Sequence, residues 1–250
     1  CQNPPKPGIL MMKTMAIQNR TRPLMSSDTD TRRDAIIEAT LAHVAFDGWS
    51  WQAVEAGAKD AGHDLVTAKR VFPGGLGEIA DHFARWSDRR MLAALDAQGL
   101  GGMRIRERIH ACVKTRLEIN APYKEALRRL LSFLALPQNA GLTAKMTWRS
   151  CSEMWYAAGD TSTDWNHYSK RGLLASVYTS TILYWLSDEG EATEDGGVDY
   201  PDTWMFLERR IEDVLKTFGL PKRLKDRLSG LPMPFRRFRR PTAFDQESTG

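Results

Sequence analysis

Between its glycine and proline breaks, almost every segment of this 250-residue chain repeats apolar side chains at helical spacing. That period constrains the fold most, because a stripe every three or four residues lines one face of a helix and cannot line one face of a strand. "TRRDAIIEATLAHVAF" puts Ile37, Leu41 and Val44 on one face, with Asp30 or Thr31 placed to cap it. Asp47-Gly48 ends that segment. Ser50 can cap a short helix over 51–60, Gly62 turns the chain, and 64–72 reads as a third short helix before "PGG". Longer helices are predicted over 77–97 (Ile79, Phe83, Trp86, Leu92), 103–119, 123–135, 142–157 (Leu142, Met146, Trp148, Met154, Trp155), 164–187 and 201–218. Residues 188–199 are acidic and glycine-containing, an evident loop. No run alternates with strand period and no repeat recurs, so the class is all-α.

At 42% hydrophobic and 26% charged residues, the chain can build a sizeable core. No apolar run approaches the ~20 residues that a membrane-spanning helix needs. Cys1, Cys112 and Cys151 form no disulfide framework and suit a reducing compartment. Cys112 and Cys151 fall in helical patterns and read as small buried apolar groups. The net charge of +4 is unevenly spread. Residues 220–240 carry eight Lys/Arg and one Asp (+7), 1–29 carry +3 and 241–250 carry −2, which leaves 30–219 at −4 (23 basic, 27 acidic). The basic character therefore sits in the ends. Four parts follow: a disordered extension over 1–29, a helix-turn-helix-like head over 30–98, a bundle over 99–219 and a basic tail over 220–250.

The sequence holds no pair of Cys-x-x-Cys units, no His-Glu-x-x-His zinc helix and no glycine-rich phosphate loop. Glu107 and His110 share a helix face, as in the units that build di-iron bundles, but no second Glu-x-x-His accompanies them. A solvated Glu-His pair is the simpler reading. "AGDTSTDWNHYSKR", 158–171, crowds polar and aromatic groups between two apolar helices. Asp160-Thr161-Ser162-Thr163 reads as a turn and a helix N-terminus, where side-chain oxygens accept from free backbone N–H groups. Counting on from Asp164, helical spacing makes Asp164, His167, Tyr168 and Arg171 one surface set. No nucleophile there is paired with an oriented base. The chain reads as a non-enzyme with no metal and no cofactor.

Residues 31–96 resemble the three-helix head of TetR-type regulators, with "DGWSWQAV" leading into the helix-turn-helix. That raises one alternative, a DNA-binding transcriptional regulator with an apolar small-molecule effector. A recognition helix at 64–72 would meet a polyanion, yet residues 30–100 hold eight Lys/Arg and eleven Asp/Glu. Only Lys69 and Arg70 are basic on that helix, so no nucleic-acid partner is expected.

A more specific resemblance lies in "EMWYAAGDTSTDWNHYSKRGLLASVY" (153–178) and "PDTWMFLERRIEDV" (201–214). These segments resemble the COQ9 family of ubiquinone-biosynthesis accessory proteins, over roughly 30–218. The resemblance implies a TetR-like helical bundle that has lost DNA binding and has no known catalytic activity. It implies binding of isoprenoid quinone intermediates or phospholipid, and their presentation to a di-iron hydroxylase of the ubiquinone pathway. It also implies a homodimer through 164–187 and 201–218, and a partner-binding patch at Met154, Asp164, His167, Tyr168 and Arg171. Where the family pattern has tryptophan before the tyrosine, this chain has His167, which makes the patch less apolar. An exposed tyrosine beside a methionine, ringed by Asp and Arg, has the composition of an interface hot spot.

Helices rich in Leu, Met, Trp and Phe are by themselves ordinary core. With the resemblance, Ile109, Val113, Leu130, Phe133, Leu134 and Met146 become the candidate lipid-binding residues. The tail, "LPKRLKDRLSGLPMPFRRFRR", sets Leu224, Leu228 and Leu231 along one side of a helix over about 221–231, with Lys222, Arg223, Lys225 and Arg227 around the rest. Phe235 and Phe238 then alternate with arginines. Basic residues interleaved with large apolar ones read as an anchor to an anionic membrane surface. The expected location is cytoplasmic, peripheral on the inner face of the cell membrane. Each basic group near an anionic leaflet contributes about 1 kcal/mol. Cutting the chain after residue 219 should abolish co-sedimentation with anionic liposomes, and added salt should weaken it in the intact chain. Equal sedimentation of cut and intact protein would refute the anchor.

Overall fold

The computed structural model describes residues 28–160, 165–194 and 196–218. Helix α1 (Asp28–Asp47) leads into two short helices, α2 (Trp51–Asp60) and α3 (Leu65–Val71), and then α4 (Gly75–Gln98). The rest is α5 (Ile105–Ile119), α6 (Lys124–Leu134), α7 (Ala140–Ala157), α8 (Trp165–Ser187) and α9 (Pro201–Phe218), with single 3-10 turns before α6 and α7. Among the described residues the predicted helices are present, and the fold is an all-α bundle; the helix predicted over 221–231 lies outside the described residues. Inside the 188–199 loop, two short strands pair antiparallel, Glu191 with Asp199 and Ala192 with Val198. A two-residue strand leaves no alternation for a sequence pattern to reveal.

Local chemistry explains most helix ends. Ser50 accepts from the Ala53 N–H at 3.3 Å, and Asp64 from the Thr67 N–H at 2.8 Å, each filling an otherwise unbonded first-turn donor. The first helix departs from expectation. It starts at Asp28, so Asp30 lies within its first turn, where a carboxylate faces the positive end of the helix dipole. Helix α4 begins at Gly75, whose φ of +71° suits glycine. A Cβ at Gly57 would sit 2.4 Å from the Thr40 Cα, so this glycine lets α1 and α2 pack backbone to backbone.

The apolar faces converge on one core. Ile36, Ile37, Leu41 and Val44 of α1 join Val54 of α2, Phe72, and Ile79 and Phe83 of α4. Cys112, Val113 and Leu117 of α5 pack with Met146, Cys151 and Met154 of α7, and with Leu174, Val177 and Trp185 of α8. Both described thiols are free, and burial pushes each up to about 12, so they stay unreactive at neutral pH. Among the described residues, no helix is long and apolar enough to cross a membrane.

A buried polar network crosses this core. Asp88 of α4 and Arg116 of α5 form an ion pair with each side chain 5% exposed. Ser150 of α7 donates to Asp88 at 3.2 Å, and Arg116 Nε donates to the Tyr178 hydroxyl of α8 at 2.9 Å. A second carboxylate, Asp81, accepts from Arg149 at 2.5 Å and Arg85 at 2.6 Å. At the far side Lys124 bonds the Asp188 carbonyl and lies 5.0 Å from the Trp185 ring centre and 4.4 Å from that of Tyr200. This cation-π latch ties α6 to the α8–α9 turn.

Burial alone would raise the Asp81 carboxyl. The hydrogen bonds from Arg149 and Arg85 outweigh that and hold it at about 2, against an ordinary 3.8. The folded state therefore binds fewer protons than the unfolded one between those values. Asp81 contributes its stability in full above about pH 4 and loses it as pH falls through about 2, on the order of 2 kcal/mol. In acid denaturation followed by circular dichroism, Asp81→Asn should flatten the stability curve between pH 4 and 2. An unchanged acid limb would count against this assignment.

Candidate partner-binding site

An aromatic ridge is the most conspicuous feature outside the core. Along α7, Met146, Ser150 and Met154 form one row at four-residue steps, and all three are buried. Trp148, Ser152 and Tyr156 form a second row, turned about 200° from the first. Trp148 is 37% exposed and Tyr156 59%. Helix α8 brings Tyr168, also 59% exposed, against this second row. The Tyr168 and Trp148 rings stack with centroids 5.9 Å apart and planes at 29°. His167 meets the Tyr168 ring edge-on at 5.3 Å.

A buried set of charges holds the ridge in place. Arg171 is fully buried. Its Nε donates to Ser152 Oγ at 3.1 Å, one terminal nitrogen donates to the His167 carbonyl at 3.0 Å, and its guanidinium lies 5.3 Å from the Tyr156 ring centre. Asp160, also buried, pairs with Arg171 at 3.5 Å and with Lys170 at 2.7 Å. Lys170 in turn lies 5.5 Å from the Trp155 ring, whose Nε1 donates to the Lys170 carbonyl at 3.1 Å.

This geometry corrects two readings. Arg171 does not join a surface set: it lies under the ridge and bonds the backbone that carries His167. Met154 is fully buried too and belongs to the core. Asp160 also forms ion pairs with Lys170 and Arg171 of α8, while residues 161–164 of the turn it was expected to begin lie outside the described residues. Of the patch residues, Tyr168 is at the surface and His167 is half-buried beside it, while Asp164 lies outside the described residues. The sequence pattern does not single out Trp148 and Tyr156. Trp148 reads as part of the apolar stripe of its helix, yet its separation from Met146 by two positions puts it on the opposite side.

The six candidate lipid residues all lie in the core, with Ile109, Val113, Leu130, Leu134 and Met146 buried and Phe133 partly so. A cleft of about 630 Å³ lies elsewhere, between the end of α4, α5 and α9, and none of the six lines it. Glu107 and His110 do: on this cleft wall Glu107 is exposed to solvent, as expected, and His110 is half-buried. The Glu107 carboxylate accepts from the Arg104 N–H at 2.8 Å, satisfying a backbone donor at the start of α5. Burial lowers the His110 pKa, opposed by a bond to the Trp204 backbone. Among the described residues, no three His, Cys, Asp or Glu side chains group to hold a metal ion. The membrane-anchor residues, Lys222 to Phe238, lie outside the described residues.

Because Tyr168 is exposed and Arg171 is not, their substitutions should separate. Tyr168→Lys should cost under about 1 kcal/mol, as surface changes do. Arg171→Ala should cost about 3–5 kcal/mol, because it leaves Asp160 buried with one partner fewer. Urea unfolding of both variants checks this, and a Tyr168→Lys protein that fails to fold would show the ring to be structural.

The chain is 32% identical to the human "Ubiquinone biosynthesis protein COQ9, mitochondrial" over 76% of its own length and 59% of that protein. It is similarly 32% identical to the rat protein (61% of its length) and 29% identical to the probable coq9 protein of Dictyostelium discoideum (59% of its length). The chain thus spans about three fifths of these curated relatives. A crystal structure of a TetR transcriptional regulator from Nitrosomonas europaea superposes with a TM-score of 0.56 at 22% identity, covering 72% of this chain and 95% of that one. A sequence model of the COQ9 family matches residues 140–217, the stretch that carries the ridge. The chain thus has a TetR-like fold, matches the COQ9 family model over 140–217, and resembles COQ9 proteins over about three quarters of its own length.

Proposed function

We propose that this protein is a non-catalytic accessory factor of ubiquinone biosynthesis. It holds an isoprenoid quinone intermediate or a phospholipid and presents it to the di-iron hydroxylase of that pathway. The observation that carries this reading is the Tyr168–Trp148 stack, held at the surface by buried Arg171 and Asp160. A pair of large rings kept in water on a rigid base is unfavourable for an isolated chain and suits a docking hot spot. The names of the relatives supply the pathway. The lipid component places the guest among the α5–α7 core residues, which must move apart to admit it. Dimerisation through α8 and α9 and peripheral membrane attachment through the tail complete the proposal.

The TetR neighbour keeps a second reading in view, a DNA-binding regulator. The helix at the recognition position, α3, offers only Lys69 and Arg70 as cations, and the Lys69 ammonium lies 5.6 Å from the Trp51 ring centre. So weak a basic surface gives little phosphate binding.

Capture of the purified hydroxylase on immobilised full chain tests the first reading. Tyr168→Lys combined with Trp148→Asp should weaken capture about thirtyfold or more, the loss expected for a hot-spot pair. A deletion strain should accumulate the quinone precursor that the hydroxylase consumes. Undiminished capture by the double variant, or a normal precursor pool, would defeat the reading.

A further inference from the structure

The cleft between α5 and α9 has an apolar floor and an acidic rim. Met103, Ala111 and Ile211 supply its apolar lining, Ala111 and Ile211 half-buried and Met103 exposed. The rim carries four carboxylates (Glu107, Glu118, Glu208, Glu212) against two cations (Arg106, Lys114), a net charge of −2. Lys114 is already engaged, 3.6 Å from Glu118 and 5.0 Å from the Trp204 ring centre. Such a trough is the complement of an amphipathic segment with an apolar stripe and basic flanks.

The chain carries such a segment directly after the cleft wall. Helix α9 supplies Glu208, Ile211 and Glu212 to the cleft and ends at Phe218. Gly219 and Pro221 then form a helix-stop signal. Residues 221–231 follow, with Leu224, Leu228 and Leu231 at helical spacing and four basic residues against Asp226, a net +3. As a helix, those eleven residues span about 16 Å, close to the roughly 15 Å from Glu208 to the end of α9. A chain reversing at 219–221 would bring Leu228 opposite Ile211.

We propose that residues 221–231 fold back antiparallel to α9 and seat Leu224, Leu228 and Leu231 on the floor of this cleft, with their basic flanks against its carboxylates. Resting on the reading of the tail as a membrane anchor, the proposal gives that anchor a second state. The same leucines cannot face the cleft and a bilayer together, so an anionic membrane surface must draw the tail out of the cleft.

Disulfide trapping in the full chain tests this. Ile211→Cys with Leu228→Cys, in a Cys1→Ser background, should form an intramolecular disulfide under mild oxidation about tenfold or more faster than a control pair of Leu228→Cys with exposed Glu55→Cys. The buried thiols of Cys112 and Cys151 stay out of this reaction. Adding Glu208→Lys and Glu212→Lys should slow trapping and strengthen sedimentation with phosphatidylglycerol vesicles. Those vesicles, and not neutral phosphatidylcholine vesicles, should slow trapping in the parent pair. Trapping no faster than the control, or disulfides only between copies, would overturn the docking. A trapped tail on a chain that never sediments with vesicles would overturn the anchor and leave the docking standing.

Discussion

The Asp88–Arg116 ion pair is the constraint on which the rest of the bundle depends. Two charges withdrawn from water are tolerated only where each finds further partners, and losing one partner of such a pair costs about 3–5 kcal/mol. Here the partners come from other helices: Ser150 of α7, Tyr178 of α8 and the Ala84 carbonyl of α4. The network therefore fixes how each helix is rolled about its axis. Ser150 must face inward, which carries Met146 and Met154 in with it. The row of Trp148, Ser152 and Tyr156 must then face outward.

The ridge is in this sense a consequence of the core. Its second wall comes from α8, whose first turns are pinned by Arg171 and Asp160 under the surface. Arg171 reaches Ser152 on one helix and the His167 carbonyl on its own, so the two helices present their aromatic rings as one rigid unit. A partner meeting a preorganised surface of this kind loses less free energy to ordering side chains. With His167 beside Tyr168, the ridge combines apolar area with hydrogen-bonding capacity, as interface cores commonly do.

Charge divides the molecule along a different line. The body between 30 and 219 carries −4 and the segment 220–240 carries +7. A tail so unlike the domain it follows has two natural counterparts, an anionic membrane and the acidic rim beside α9. Both readings follow from the same pattern of leucines and basic residues, and only their competition gives the tail a state that depends on surroundings.

The sequence by itself determined the all-α class, the order of helices and most of their ends, because periodicity, caps and glycine breaks act over a few residues. It also marked the stretch around Tyr168 as special through its density of aromatic and polar groups. Only the tertiary structure decided which face is interior where apolar and aromatic residues surround the helix, as on α7 and at the start of α8. Helical spacing shows that His167, Tyr168 and Arg171 are neighbours, but not that the arginine points down and the tyrosine out. Nor does it show that Met154 is core while Trp148 is surface, or that Glu107 and His110 border a cleft. Those outcomes rest on long-range partners such as Asp160, Ser152 and the Asp88–Arg116 pair, whose approach depends on how whole helices pack.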